Sequence, residues 1–188
     1  GTQMKATGEV MSIGRTMEES LLKAMRSLET GVCHIYHKKF DDWTNDRLLE
    51  YIAEPTDDRL YAIAQLIRGG VDLVLIYNRT KIDMFFLEKF KNIVEFERVV
   101  EAAPMDIEVL REAKRMGFSD KFIGQLWGVS QHDMYLLREK NGIFPVYKMI
   151  DTCASEFSSY VPYFYSTYED ENESLVSDKE KIVVLGSG

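Results

Sequence analysis

The chain has 188 residues, of which 45% are hydrophobic and 29% are charged, and its formal net charge is −8. This composition is typical of one globular domain, and the negative charge argues against nucleic-acid binding as the main role. No apolar run approaches about 20 residues and no N-terminal signal pattern is present, which favours a cytoplasmic protein without a membrane span. Cys33 and Cys153 form no disulfide framework, in agreement with a reducing compartment.

The first predicted helix follows Thr16. Thr16 and Glu19 have the spacing of a capping box, in which the hydroxyl and the carboxylate each bond a free backbone N–H. Apolar residues then recur at helical spacing until Gly31, which ends the pattern. These features predict an amphipathic helix that begins immediately after Thr16.

Two further helices are predicted before the middle of the chain. One restarts at Thr44 or Asn45 and is stopped at Pro55, since the residue before a proline avoids the helical conformation. The next opens at residues 57–58 and carries apolar residues on one face. It ends at residues 69–70, because these glycines readily adopt the left-handed conformation that follows a helix.

Residues 32–43 break the helical pattern with polar, basic and aromatic residues in turn. Three aromatic side chains, Tyr36, Phe40 and Trp43, fall in this loop. Aromatic residues in such a setting either pack onto their own core or form a contact patch. Both alternatives stay open, and these three residues are the candidate surface for contact with another copy of the chain.

Reactive side chains are few, and their spacing favours structural roles. Cys33, His34 and His37 suggest a metal site, but a structural zinc needs about four ligands and no second pair is near. Cys153 has no partner histidine that would mark a nucleophile, so packing is the better interpretation. No catalytic, cofactor-binding or metal-binding residue is therefore predicted.

An internal repeat appears at an offset of 47 residues. Each copy reads as a helix, a glycine turn, a short capped helix, a tight turn and a second capped helix. Apolar and capping positions agree while surface residues differ, which predicts two similarly folded units over about 57–100 and 104–144, with residues 102–104 as the hinge. Chance coincidence of helix caps is the alternative. The matching pairs are Gly70/Gly117, Asp72/Ser119, Ile76/Ile123, Ile82/Val129, Asp83/Ser130, Leu87/Met134 and Phe90/Leu137.

The second copy also fits a helix-turn-helix pattern over residues 120–139. Gly124 is small where the helices approach, and Gly128 lies at the turn. In a DNA-binding protein, the outer face of the second helix would enter the major groove. Two carboxylates on that face would repel phosphate, so a helical scaffold is favoured and a DNA-binding module is the alternative. The outer face carries Gln131, Asp133, Tyr135, Arg138 and Glu139.

The most distinctive stretch is 145–170, which reads PVYKMIDTCASEFSSYVPYFYSTYED. Aromatic side chains at this density need a surface to pack on, and each buried phenol needs a hydrogen-bond partner. The stretch therefore indicates a connector held against a neighbouring body. The residues expected to pack there are Phe157, Tyr163, Tyr165 and Tyr168.

Three motifs resemble the large subunit of carbamoyl-phosphate synthetase and follow its order. VYKMIDTCASEF and PYFYSTYE resemble the connector before the second ATP-using half of that enzyme. TQMKATGEVMSIGRTMEESLLKAMRSLE, over residues 2–29, resembles the segment that closes its first ATP-grasp half. KIVVLGSG, over residues 181–188, resembles the opening strand and glycine loop of its second half. The resemblance covers essentially the whole chain.

The helix signals and the internal repeat predict a mainly α fold. Two related small helical subdomains are expected, with a long irregular aromatic connector and short extended pieces near 162–166 and 181–185. The implied parts are the tail of the first half (1–16), a helical oligomerisation or connection domain (17–145), the aromatic connector (146–180) and the start of the second half (181–188).

By the same resemblance, the parent enzyme is a ligase that makes carbamoyl phosphate from bicarbonate, glutamine-derived ammonia and two ATP, for arginine and pyrimidine biosynthesis. Its ATP and its Mg or Mn bind in the two flanking halves, so this segment is expected to be inactive and to bind no cofactor. The expected partners are the flanking ATP-grasp halves, other copies of the large subunit and the small glutaminase subunit. Neither nucleic acid nor membrane is expected as a partner.

Overall fold

The computed structural model describes residues 10–152, 156, 163–184 and 186. This part of the chain is mainly helical, as the sequence predicts, with a short 3-10 helix (Lys38–Phe40) and one two-stranded sheet. The α-helices are α1 (Met17–Ser27), α2 (Asn45–Tyr51), α3 (Arg59–Arg68), α4 (Leu73–Thr80), α5 (Met84–Ala102), α6 (Ile107–Arg115), α7 (Asp120–Trp127) and α8 (Gln131–Lys140). The strands are β1 (Val146–Met149) and β2 (Phe164–Thr167).

Side chains cap the helices at the positions expected from the sequence. The hydroxyl of Thr16 accepts a hydrogen bond of 3.2 Å from the backbone N–H of Glu19, and Thr44 caps α2 in the same way. Asp58 precedes α3 but makes no capping bond. Its carboxylate instead pairs with Lys39, which ties α3 to the loop before α2.

The internal repeat is present in three dimensions. The helix pairs α4/α7 and α5/α8 begin 47 residues apart, and α3/α6 end 47 residues apart. Gly70 and Gly117 end α3 and α6 with left-handed φ angles of 77° and 91°, a conformation that glycine adopts without strain. The N–H groups of Val71 and Phe118 then donate back into the preceding turn at 3.0 and 2.9 Å.

Core positions correspond between the two units as well. Ile76 and its counterpart Ile123 are each 0% exposed, and so are Leu87 and Met134. The agreement of helix ends, caps and buried positions favours the repeat over chance similarity of helix caps. The first unit is therefore α3–α5 and the second is α6–α8.

The units differ at the end of their last helix, because α5 has 19 residues and α8 has 10. The position that corresponds to Glu95 of α5 is Gly142, whose φ of 65° ends α8. The N–H of Ile143 then donates to the carbonyl of Arg138 at 2.9 Å. The longer α5 packs against α1, α3, α4, α6 and α7, and it forms the centre of the domain.

The aromatic connector begins with β1, a strand that the sequence does not predict. It pairs antiparallel with β2, so that Val146 is opposite Thr167 and Met149 is opposite Phe164. β2 overlaps the extended piece expected near 162–166. Residues 181–184 of the other expected piece form no strand pair within the described residues, and Ile182 is 89% exposed there.

The hairpin lies beside the segment that enters α1. Arg15 Nε is 2.7 Å from Glu169 Oε1, and the ammonium of Lys23 donates to the carbonyl of Ser166. The backbone before α1 and the backbone after β2 therefore run close together on one side of the helical domain.

Close packing between α7 and α8 makes Gly124 sensitive to substitution. A Cβ at this position would lie 2.6 Å from the carbonyl oxygen of Val129 and 3.3 Å from Cγ of Met134. We expect Gly124→Ala to lower the free energy of unfolding by about 1–3 kcal/mol, because backbone must move to make room. Urea denaturation measures the change. Gly69→Ala is the control, since its Cβ would come within 3.0 Å of the flexible Asn45 side chain alone, and an equal effect in both variants would contradict this account.

Candidate interaction surfaces

The aromatic side chains of the loop that is predicted to contact another copy differ in burial. Phe40 is 0% exposed, and its ring centroid lies 5.1 Å from that of Trp43 and 5.7 Å from that of Tyr51. The prediction that Phe40 belongs to a contact surface is therefore wrong, because a fully buried ring cannot reach another copy. Trp43 is half-buried, while Tyr36 is 39% exposed and donates its hydroxyl to Asp41. A contact through Tyr36 and Trp43 stays a prediction.

His34, from the same loop, belongs to a buried ionic cluster. Its Nε2 donates to Glu97 Oε1 at 2.9 Å, and Arg68 binds that carboxylate through hydrogen bonds of 2.6 and 2.7 Å. The His34 ring stacks on Phe122 with 3.7 Å between centroids. The cluster therefore joins α3 and α5 of the first unit to α7 of the second. His37, considered with His34 as a metal ligand, accepts a backbone hydrogen bond and caps the 3-10 helix.

Burial controls the ionisation of this cluster. It lowers the pKa of His34 below 6.5, although the hydrogen bond and the charge of Glu97 oppose the shift. Burial also raises the pKa of Glu97, but the hydrogen bonds from Arg68 and His34 outweigh it and bring that pKa below 4.5. Near neutral pH the cluster is therefore a carboxylate between a guanidinium and a neutral imidazole.

Stability is expected to fall as the pH is lowered through 6.5, the ordinary pKa of the His34 side chain. In this range the unfolded chain takes up a proton on His34 and the folded chain does not, so protons favour unfolding. Urea denaturation at about pH 7.5 and about pH 5.5 measures the difference. His34→Gln is the control and should depend less on pH; an unchanged dependence in that variant would contradict the account.

A second buried cluster lies within the second unit. Arg138 donates hydrogen bonds to both carboxylate oxygens of Asp120, the shortest at 2.7 Å. Lys114 Nζ lies 2.9 Å from Oδ1 of the same carboxylate. Burial lowers the pKa of Lys114 to about 8, although the charge of Asp120 opposes the shift. Burial also raises the pKa of Asp120, but the hydrogen bond from Arg138 and the charge of Lys114 bring it below 3.8.

This cluster changes the helix-turn-helix interpretation. Gly128 adopts φ 69° at the turn and Met134 is buried, so the motif exists as a structural unit. Arg138, however, is 7% exposed and bound to Asp120, so its place on the outer face of α8 is corrected. The face that would meet DNA thus lacks its arginine and keeps Asp133 and Glu139.

The aromatic connector packs partly on its own domain. Tyr168 is half-buried, with Lys114 Nζ 5.0 Å and Arg138 Cζ 5.6 Å from its ring centroid. Tyr165 is half-buried beside Lys23, whose Nζ lies 5.6 Å from its ring centroid. Contacts with α1, α6 and α8 thus cover part of these rings, and their packing against the flanking halves stays a prediction.

The structure describes only one of the other two connector residues. Tyr163 is 60% exposed, and its contact with a flanking half stays a prediction. Phe157 lies outside the described residues.

An exposed apolar surface lies on α4 and the start of α5. Five side chains contribute to it, with exposed fractions between 39% and 53%. The rings of Phe85 and Phe86 meet edge to face at 5.3 Å. Exposed apolar side chains in such a group favour contact with another molecule or domain. We call this surface the α4/α5 patch; it consists of Val74, Leu75, Tyr77, Phe85 and Phe86.

A family model for the carbamoyl-phosphate synthetase large chain, oligomerisation domain, matches residues 9–142. The chain belongs to this family. The match spans the α-helices of the described residues, from α1 to α8, and confirms the family that the sequence resembles. The connector motifs and KIVVLGSG lie beyond the matched residues. The match gives the DNA-binding alternative no support.

No helix among the described residues of this oligomerisation domain is long and apolar enough to cross a membrane. Likewise, no group of three or more potential metal-binding side chains is found in that part of the chain.

The sequence analysis missed the α4/α5 patch of the oligomerisation domain. It named Ile76 and Leu87 as matching apolar positions of the repeat, and both are 0% exposed. The signal lay in their neighbours, since Leu75 and Phe86 are one residue from these core positions, about 100° around each helix, and are exposed. Each helix carries more apolar residues than one buried face requires, and this excess indicates a second contact on the outer side.

Proposed function

We propose that this chain connects the two ATP-grasp halves of a carbamoyl-phosphate synthetase large chain and assembles copies of that chain. The observation that carries the proposal is the family match over residues 9–142. The exposed α4/α5 patch supports it, because an assembly domain requires apolar surface that its own fold does not bury.

The side-by-side course of the entering and leaving segments supports the connecting role. Arg15 and Glu169 pair at 2.7 Å, and Arg115 reaches Asp170 at 3.2 Å. Lys148, on β1, is 7% exposed and has the carboxylates of Glu169 and Glu173 within 3.8 and 3.4 Å. The Arg15–Glu169 pair joins the two segments, and the other pairs hold the segment after β2 against α6 and β1. Bodies attached to the two segments would therefore begin at neighbouring points of the domain.

The proposed parent enzyme is the glutamine-dependent ligase of the cytoplasm. It combines bicarbonate, ammonia released from glutamine by a small glutaminase subunit, and two ATP into carbamoyl phosphate. We place ATP and its Mg or Mn in the flanking halves, and no cofactor in this domain. The role of the present residues is therefore mechanical: they position the halves and provide contacts between copies.

Bicarbonate-dependent ATP hydrolysis tests the non-catalytic role. The 188-residue chain is expected to show none, whereas the whole large chain that contains it is expected to hydrolyse ATP and form carbamoyl phosphate from ammonia. Activity in the 188-residue chain would contradict the proposal. A gel shift with duplex DNA across a salt series tests the alternative, and salt-sensitive binding at low protein concentration would favour a DNA-binding module.

A further inference from the structure

We propose that a cavity between the loop after α1 and helix α7 binds a small phosphate monoester. The cavity has a volume of about 300 Å³, at the lower end of the range for small-molecule sites in proteins. The loop lines it with residues 30–34 and 36–38, and α7 lines it with Lys121, Phe122 and Gln125. The inference concerns a binding site and does not depend on the proposed assembly or connecting role.

The charged residues of this cavity are basic. Lys38 lines it from the 3-10 helix and Lys121 from α7, and none of the described lining residues is acidic. The whole chain has 31 acidic residues against 23 lysines and arginines, so a cavity that carries lysines alone is contrary to its composition. Two ammonium groups without a carboxylate beside them attract an anion.

The fold does not neutralise either lysine. Within the part of the chain that the structure describes, Lys38 and Lys121 have no ion pair, hydrogen bond or ring contact, and both are exposed. Lys114, in the same unit as Lys121, differs because it binds Asp120 at 2.9 Å. The repeat does not require a lysine at position 121 either, since the corresponding residue of the first unit is Val74. Both ammonium groups are therefore available to a bound anion.

Two histidines of the loop add hydrogen-bonding atoms. Nδ1 of His37 accepts the backbone N–H of Lys39 at 3.1 Å, so the neutral ring carries its proton on Nε2. That N–H has no acceptor among the described residues and can donate to an anion. His34 also lines the cavity; its Nε2 donates to Glu97, and its buried Nδ1 has no hydrogen-bond partner in the described part of the chain. An acceptor without a donor at this place favours a ligand that carries a hydroxyl group.

The residue types favour a phosphate over a carboxylate. A lysine ammonium acts as a point charge on a tetrahedral oxyanion, whereas arginine is favoured where a planar carboxylate is bound through two parallel hydrogen bonds. No arginine is among the described residues that line the cavity. Phe122, which is 7% exposed, and Val32 give the cavity an apolar wall for the carbon chain of a monoester.

Glycerol 3-phosphate is the probe, because it combines a phosphate monoester with hydroxyl groups on a short carbon chain. We expect it to bind the 188-residue chain with millimolar or tighter affinity at low salt. Lys121→Gln is expected to weaken binding by about tenfold or more, since a hydrogen bond between two charged groups is lost. Lys140→Gln on α8 is the matched control and should leave the affinity near the wild-type value, because Lys140 is exposed and has no ion pair among the described residues. Isothermal titration calorimetry measures the affinities, and far-UV circular dichroism checks helicity.

Cys33 reports whether the probe occupies this cavity. Its side chain lines the cavity and is partly exposed. With Cys153 replaced by serine, saturating glycerol 3-phosphate is expected to slow the alkylation of Cys33 by iodoacetamide severalfold. An unchanged rate would overturn the location of the site.

The remaining outcomes separate the ligand class from a general effect of charge. Absence of binding to the wild-type chain in the millimolar range would overturn the inference and leave the proposed function standing. Equal weakening by Lys121→Gln and Lys140→Gln would also overturn it, since it would show that net charge alone attracts the probe. Malate, a dicarboxylate with a hydroxyl group, tests the choice of phosphate. Binding of malate as tight as that of glycerol 3-phosphate would overturn that choice.

Discussion

Replacing Glu97 with alanine is expected to lower the free energy of unfolding by about 3–5 kcal/mol. The Glu97 side chain is 10% exposed and that of Arg68 is 19% exposed, so the substitution leaves a guanidinium in a poorly solvated place without its opposite charge. His34, 1% exposed, loses the acceptor for its Nε2 proton at the same time. Urea denaturation followed by circular dichroism measures the change.

Glu95→Ala is the matched control for this prediction. Glu95 lies on the same helix, but its side chain is 56% exposed and its partner Lys91 is 3.5 Å away. Its loss should change stability by less than about 0.5 kcal/mol, since exposed ion pairs contribute little. Similar small effects for both glutamates would show that the buried cluster does not hold α3, α5 and the loop before α2 together.

Replacing Asp120 with alanine is expected to have an effect of similar size, about 3–5 kcal/mol. Lys114 and Arg138, whose side chains are 7% and 9% exposed, would both lose their counter-charge. The pKa of Lys114, already about 8, would fall further because the charge of Asp120 raises it. The loss should shrink as the pH rises above about 8, since Lys114 then loses its proton and the Lys114–Asp120 ion pair is absent from the wild type also.

Glu108→Ala provides the comparison within the second unit. Its side chain is 83% exposed and lies 3.9 Å from Arg111, so a change of less than about 0.5 kcal/mol is expected. Urea denaturation of both variants between about pH 7 and about pH 10 measures the size and the pH dependence. A pH-independent loss in Asp120→Ala would contradict the role of Lys114 in the cluster.

The helices could be predicted from sequence because their signals are local. Thr16 caps α1 through the N–H three residues on, and Gly70 and Gly117 end helices by their own φ angles. The repeat added evidence beyond any single helix, since the same order of caps, glycines and buried positions occurs twice. The caps and the terminating glycines depend on neighbouring residues alone, and the sequence therefore shows them directly.

The buried clusters could not be predicted, because their members are distant in the chain. His34 and Glu97 are 63 residues apart, and Asp120 and Arg138 are 18 apart. From sequence, Arg138 looked like an outward-facing residue of α8, and only the approach of α7 brings Asp120 to it. The packing of Tyr168 on Lys114 could not be predicted for the same reason, because it requires the β1–β2 pair to lie against α6.

The loop at 32–43 shows why aromatic residues are ambiguous in sequence. Phe40 and Tyr36 are both aromatic residues of one short polar segment, yet the first is 0% and the second 39% exposed. The difference arises because the 3-10 helix turns Phe40 toward Trp43 and Tyr51. Exposure of an aromatic side chain in a loop depends on tertiary contacts that composition does not reveal.

The mass of the chain in solution, measured by light scattering over a wide range of protein concentration, tests the central claim most directly. We expect the mass of a dimer or a larger assembly over most of the concentration range, with dissociation only at the lowest concentrations. A mass equal to the 21.8 kDa of one chain at every concentration would contradict assembly by this domain and leave it the connecting role alone.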